Sequence, residues 1–154
     1  MPDDSFDGQA VTTSTFLFEV DGLSIGFFME VNGLTVEVGV ENIEEGGENG
    51  FVHHLPGRMT WPNITLKRGV TQTDNLLSWL TKSSGEQFAS NGNKLTRSTA
   101  AITLVGPSGT RLRSWEFVDA FPVKWSGPEF AAESTSAATE QLEIAHHGFT
   151  AKSF

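Results

Sequence analysis

The chain contains no cysteine. There is therefore no disulfide framework, no thiolate metal site and no cysteine nucleophile. Cationic side chains are scarce, with 10 Lys and Arg against 19 Asp and Glu and a net charge of −9. Affinity for a phosphate backbone rests largely on Lys and Arg, so nucleic-acid binding is not expected as the main role. Long apolar runs are missing as well. A membrane-spanning helix needs about 18 consecutive apolar residues, so no stable membrane insertion is expected. The first ten residues, MPDDSFDGQA, have neither the basic nor the apolar region of a secretory signal. Synthesis and assembly are expected in the cytoplasm, with some other route if the protein leaves the cell.

What is present points to strands. The chain of 154 residues, 38% hydrophobic, is about one domain long and can bury a core without staples. Its 16 glycines and 12 phenylalanines, with many Thr and Ser, favour strands and turns over helices. Residues 1–14 form a polar N-terminal arm, 15–150 the domain and 151–154 a C-terminal tail. Strands are predicted from Phe16 to Val20 and Ile25 to Met29, with turns at Asp21-Gly22 and Asn32-Gly33. Leu34 to Ile43 alternates, placing Val36, Val38 and Val40 on one face, expected to be buried. Glu44 to Pro56 (EEGGENGFVHHLP) reads as a long exposed loop.

Ile64 to Arg68 alternates again. Thr71 to Lys82 is the one convincing helix, with Leu76, Leu77, Trp79 and Leu80 as its apolar stripe and Thr71 or Thr73 as its cap. Residues 83–98 read as loop. Ala101 to Val105 and Arg111 to Trp115 flank the hairpin connection GPSGT, and Phe117 to Trp125 continues in strand composition with a bend or edge at Pro122. After a loop at 126–137, Thr139 to Phe149 is a last long strand carrying Leu142 and Ile144 on one face. The fold class is mainly β, with roughly seven or eight strands and one helix.

No catalytic constellation stands out. His53-His54 and His146-His147 are adjacent pairs, and neighbours on a strand point to opposite faces, so neither pair chelates one ion. Surface or interface histidines are the simpler reading. Glu41, Glu44, Glu45 and Glu48 lack the alternating Asp/Asn ligands of a calcium loop. There is no Gly-x-Ser-x-Gly elbow and no phosphate loop. Asn63-Ile64-Thr65 matches a glycosylation sequon, read as chance in a chain without a signal. No metal, no cofactor and no enzymatic activity are expected.

Four ordered blocks carry a resemblance. They are FEVDGL (18–23) with GFFMEVNGL (26–34); LPGR (55–58) with NITLKRGVT (63–71) and the helix; WEF (115–117) with AFPVK (120–124); and EQLEIAHHGF (140–149). Together they resemble the tube proteins of contractile phage tails and extracellular contractile injection systems. His147 departs from the pattern, which usually has Glu there, and the Glu44–Val52 stretch is unusually acidic and glycine-rich. The resemblance implies a compact Hcp-like β-barrel or sandwich with one flanking helix. It implies six-membered rings stacked into a hollow tube that a contracting sheath drives through a target membrane. Partners would be further copies of the chain, the sheath protein, baseplate, spike and tube-capping proteins, and protein cargo in the lumen. In an injection system no nucleic acid would be bound; in a phage tail DNA would pass through the lumen. The particle would be a virion or an injection machine, released or retained. The alternatives are a low-copy tube-like adaptor at the baseplate, the related ring protein of type VI secretion, and a monomeric β-sandwich binding module.

Within that reading the subunit interface is expected at Glu44, Glu45, Phe51, Val52, Leu55, Arg58, Lys67, Arg68, Glu143 and His147. Arg58, Lys67, Arg68, Arg111 and Arg113 are expected beside acids of neighbouring subunits, because rings of like charge otherwise repel.

Overall fold

The computed structural model describes residues 15–44, 46, 47, 50, 52–70, 75–83, 97–128 and 138–154. The expected N-terminal arm, the helix caps Thr71 and Thr73, and most of the loops at 83–98 and 126–137 lie outside the described residues.

Among the described residues ten strands and one helix follow in the order β1 (Thr15–Val20), β2 (Leu23–Phe28), β3 (Glu30–Asn32), β4 (Glu37–Ile43), β5 (His53–Thr60), β6 (Ile64–Gly69), α1 (Asn75–Ser83), β7 (Ser98–Val105), β8 (Arg111–Ser126), β9 (Thr139–Ala145) and β10 (Phe149–Ser153). Three of the four residues set apart as a C-terminal tail thus lie in β10. Eight strands form one antiparallel sheet ordered β2-β1-β7-β8-β9-β6-β3, with β10 paired to β8, while β4 and β5 form a separate two-stranded ribbon. β2 and β3 end opposite sides of the order yet are separated in the chain only by Met29, so the sheet must wrap. The Met29 N–H donates to the Lys67 carbonyl, 2.9 Å away, where the chain crosses. No ladder closes the wrap into a barrel among the described residues; the sheet is open and sandwich-like.

Alternation fills the inside. Phe18 from β1, Ile64 and Leu66 from β6, Ile102 from β7, Phe117 from β8, and Leu142 and Ile144 from β9 are all fully buried. The helix seals one side. Leu76 and Trp79 are its buried apolar groups, and the Trp79 ring sits 5.6 Å from Phe18. Leu77 and Leu80, expected to share that face, are only half-buried. β8 carries two irregularities that bend it. Val118 and Asp119 together oppose Thr99, with Asp119 at φ 52°, and a second register shift follows Pro122. Between them the strand leaves β7 and takes β9 as its neighbour, so the bend expected at Pro122 is present.

Three expectations are corrected. The segment Glu44–Pro56 is not all loop: His53 to Pro56 belongs to β5, which pairs with β4 through Ile43↔His53, Asn42↔His54, Glu41↔Leu55 and Val40↔Pro56. Pro56 is tolerated because a two-stranded ribbon leaves each strand one unpaired side. Val38 and Val40 lie in β4, but among the described residues that strand buries nothing; they and Val36, just ahead of it, are all exposed. Finally, Thr139 to Phe149 is not one strand. The chain breaks at His146-His147-Gly148, where Gly148 takes φ 128°, a conformation side chains disfavour, and a Cβ would meet the Trp61 ring at 3.2 Å.

Candidate assembly interface

Pairing fixes which ribbon residues share a face, because side chains alternate along each strand. Val38, Met59, Val40 and Pro56 lie on one face, continued by Asn42 and His54. Those last two join through a 2.7 Å hydrogen bond between Asn42 Oδ1 and His54 Nδ1. Glu37, Thr60, Glu41, Leu55, Ile43 and His53 lie on the other. Both faces are open: Val38, Val40, Met59, Ile43 and Leu55 are all exposed, and so is Val52 beside the ribbon. Monomeric domains seldom leave a strand pair apolar and uncovered on two sides. Glu44 is exposed next to this surface, while Glu45 and Phe51 lie outside the described residues.

Strand edges are the second kind of open surface. β2 and β3 end the sheet order, and β10 has one free side. The chain around β2 presents Leu23, Phe27 and Met29 outward, with Leu23 72% exposed. Unpaired N–H and C=O groups beside apolar side chains favour pairing with another strand.

The five expected interface cations divide. Arg68 is not at the surface. It is 2% exposed, pairs with Glu140, and lies over the Phe28 ring at 4.9 Å. The sequence carried the signal. Ile64, Leu66 and Arg68 alternate inward on β6, Glu140, Leu142 and Ile144 do so on β9, and the register sets Arg68 opposite Glu140. Trp125 Nε1 donates to the same carboxylate, 3.2 Å from Oε2. Gly26 keeps the approach open, since a Cβ there would strike the Arg68 guanidinium. Arg111 pairs with Glu19 at 3.2 Å, and Arg113 lies over Trp115. Arg58 and Lys67 form no ion pair among the described residues. Arg58 is exposed on β5, and Lys67 is half-buried opposite Glu30 of β3.

Glu143 is half-buried and accepts from Asn63 Nδ2 at 2.9 Å. The two histidines of the β9–β10 turn differ. His147 is exposed, and its Nδ1 lies 3.2 Å from both Asp119 Oδ2 and an Arg97 guanidinium nitrogen. His146 is buried, and burial pushes its imidazole below the ordinary histidine range, outweighing the Pro62 carbonyl that pulls the other way. Sequence reading treated both as surface or interface groups and missed the burial of His146.

Among the described residues no three His, Asp or Glu side chains stand close enough to hold a metal ion. A cavity of about 370 Å³ lies between the β1–β2 turn and α1, lined by Val20, Leu23, Ile25 and Trp79 with Asp21 and Lys82. Asp21 is committed to structure there, its Oδ1 accepting from the Thr99 N–H at 3.0 Å. No helix among the described residues is long and apolar enough to cross a membrane.

The model of the T4-like virus tail tube protein gp19 family matches residues 12–150. A comparison with curated proteins gives no match. Several solved structures are similar. A chain of the sheath-tube complex of PVC, an extracellular contractile injection system, in its extended state is 23% identical, with 96% of this chain and 95% of that one covered and a TM-score of 0.78. A chain of the tube-terminating cap of the anti-feeding prophage is 23% identical, with 100% of both chains covered and a TM-score of 0.76. Hcp1 from Flavobacterium johnsoniae is 17% identical, with 91% of this chain and 96% of that one covered and a TM-score of 0.51. At these identities the likeness establishes a shared fold.

Proposed function

The chain belongs to the T4-like virus tail tube protein gp19 family, and on that premise we propose that it is the repeating subunit of a tube. It is a structural protein, not an enzyme. Six copies form a ring by joining sheet edges, and rings stack into a hollow inner tube within a contractile sheath. Contraction drives the tube through a target membrane, with protein cargo in its lumen. The tube meets a baseplate and spike at one end and a cap at the other. Likeness to the PVC and anti-feeding prophage chains favours an injection machine over a virion as the setting.

The observation that carries this reading is the ribbon β4–β5, which exposes apolar side chains on both faces, uncovered among the described residues. A neighbouring subunit or ring is the cover such a ribbon calls for. Burying one such side chain contributes roughly 1.5–3 kcal/mol, and the gain recurs at every repeat of a polymer. Glu44, Glu45, Phe51, Val52 and Leu55 would join that contact, with Arg58 and Lys67 as the cations left for acids on a neighbour. A head-to-tail contact that closes by rotation gives a ring, and closure removes the free edges of β2 and β3.

Electron microscopy of the purified protein tests the reading. Rings and long tubes are expected. Rings that never stack would assign a low-copy adaptor, and a clean monomer would assign a binding module. Replacing residues 45–54 by a short Gly/Ser linker should leave a folded subunit that stacks poorly. Long tubes from that variant would remove the ribbon tip from the interface, and failure to fold would place it in the domain core.

A further inference from the structure

We propose that the turn joining β9 to β10 is an acid-responsive latch, in which protonation of the His146 imidazole breaks the turn and frees β10 from β8. The two ring nitrogens of His146 have opposite and fully committed roles. Nε2 lies 3.1 Å from the Pro62 carbonyl oxygen, which can only accept, so Nε2 carries the hydrogen. Nδ1 lies 3.1 Å from the Gly148 nitrogen, which can only donate, so Nδ1 presents its lone pair. The neutral ring satisfies both neighbours at once. A second proton has one place to go, Nδ1, where it would face the Gly148 N–H and destroy that hydrogen bond.

The Pro62 carbonyl favours the resulting cation, but burial outweighs it. Rings of Phe117 at 5.1 Å, Trp61 at 6.1 Å and Phe149 at 6.2 Å enclose the imidazole. The segment Trp61–Pro62 and the start of β10 at Phe149 bring no ionisable group. His147, the next residue, adds a like charge when protonated. Asp119 on β8 is engaged with His147, and Arg97, ahead of β7, reaches the same ring. Glu116 and Lys152 lie farther along the β8–β10 pair, opposite Thr150 and Ser114. Among the described residues no carboxylate makes a hydrogen bond to His146.

β10 is the element such a change would release. Of its five residues only Phe149 is even partly buried, and that ring packs on His146 itself. The turn is otherwise pinned to β8 by two backbone bonds, His147 N–H to the Val118 carbonyl and Val118 N–H to the Gly148 carbonyl. A strand with little buried apolar surface opens with a smaller free energy than the core does. Charging the residue beneath its first side chain while removing the Gly148 bond acts at that weak point. Deprotonation restores the acceptor, so the change is reversible.

Hydrogen exchange of the full chain tests the latch at about pH 7.5 and about pH 5, a range in which histidine changes charge. After correction for intrinsic exchange rates, protection of the Thr150 to Ser153 amides should fall by at least about tenfold at the lower pH, while the β6–β9 ladder keeps its protection. In His146→Gln, whose amide can donate and accept but does not titrate, β10 should be equally protected at both values. His147→Gln should retain the response. Unchanged β10 protection in the native chain would overturn the proposal, as would an equal response in His146→Gln or its loss in His147→Gln. Should His146→Gln not fold, the ring titration of native His146 by nuclear magnetic resonance decides. Its midpoint must coincide with the loss of β10 protection, and separated midpoints overturn the latch.

Discussion

Reversing Arg68 to Glu would set a second carboxylate against Glu140 in a site with almost no water. Even truncation to Ala strands one buried charge, and breaking such a pair costs about 3–5 kcal/mol. Arg68→Ala should therefore lower the urea midpoint and the yield of assembled particles together. Arg58→Glu acts on an exposed side chain, so it should leave the midpoint nearly unchanged and reduce assembly alone. Equal losses for the two arginines would place Arg58 in an internal contact as well. His146 adds a pH dependence. Its folded-state affinity for protons lies below the unfolded value, so the unfolded chain binds the extra proton first as pH falls. Stability contributed by the neutral ring is full above about pH 6.5, the unfolded value, and declines as pH falls toward the lowered folded one. Melting temperature should drop across that window in the native chain and much less in His146→Gln. Both sites were open to sequence reading, because two-residue alternation points Arg68, Glu140 and His146 inward. Charge and position within a motif drew attention to the surface instead.

For single elements, periodicity identified strands and the helix more surely than it identified what they bury. In α1, Leu76 is nearly inaccessible and Leu80 is half-buried, although the apolar stripe treats them alike. Leu76→Ala should cost about 2–5 kcal/mol in equilibrium unfolding. Leu80→Ala should cost clearly less, and a reversed order would mean that the helix docks through a different face. The valine strand shows the same limit more sharply. Its alternation was legible, but among the described residues nothing covers its apolar face, and the strand pattern alone does not say what does. β5 was missed for a related reason. HHLPGRMT has no alternation and contains both Pro and Gly, and it becomes a strand because β4 offers it a register. Val40→Lys on one ribbon face, or Leu55→Lys on the other, should leave thermal unfolding within about 0.5 kcal/mol of native. Stacking of rings should nevertheless fail for whichever face is covered. If both variants assemble normally, the ribbon is not the contact.

Over the whole molecule, charge sets the condition for assembly. Six copies at −9 each give a ring carrying −54. Arg68 and Arg111 are already neutralised within the chain, which leaves fewer cations for contacts between copies than composition suggests. Apolar burial at the ribbon then has to outweigh mutual repulsion. Raising salt from about 20 mM to about 200 mM shortens the screening length to below about 10 Å and should lengthen tubes. Tubes that dissolve as salt rises would show instead that ion pairs across the contacts dominate.

The wrap at Met29 also governs the order in which the molecule can come into being. The chain emits both rims of its sheet first, since β2 and β3 are early strands, yet β1 must wait for β7 and β6 must wait for β9. Until the last third of the polypeptide leaves the ribosome, four early strands have no permanent neighbours beyond one another. Pairings this distant along the sequence form slowly, in milliseconds to seconds rather than microseconds. A subunit made in many copies would thus pass through a period with its rims bare before it could accept the neighbours meant to cover them.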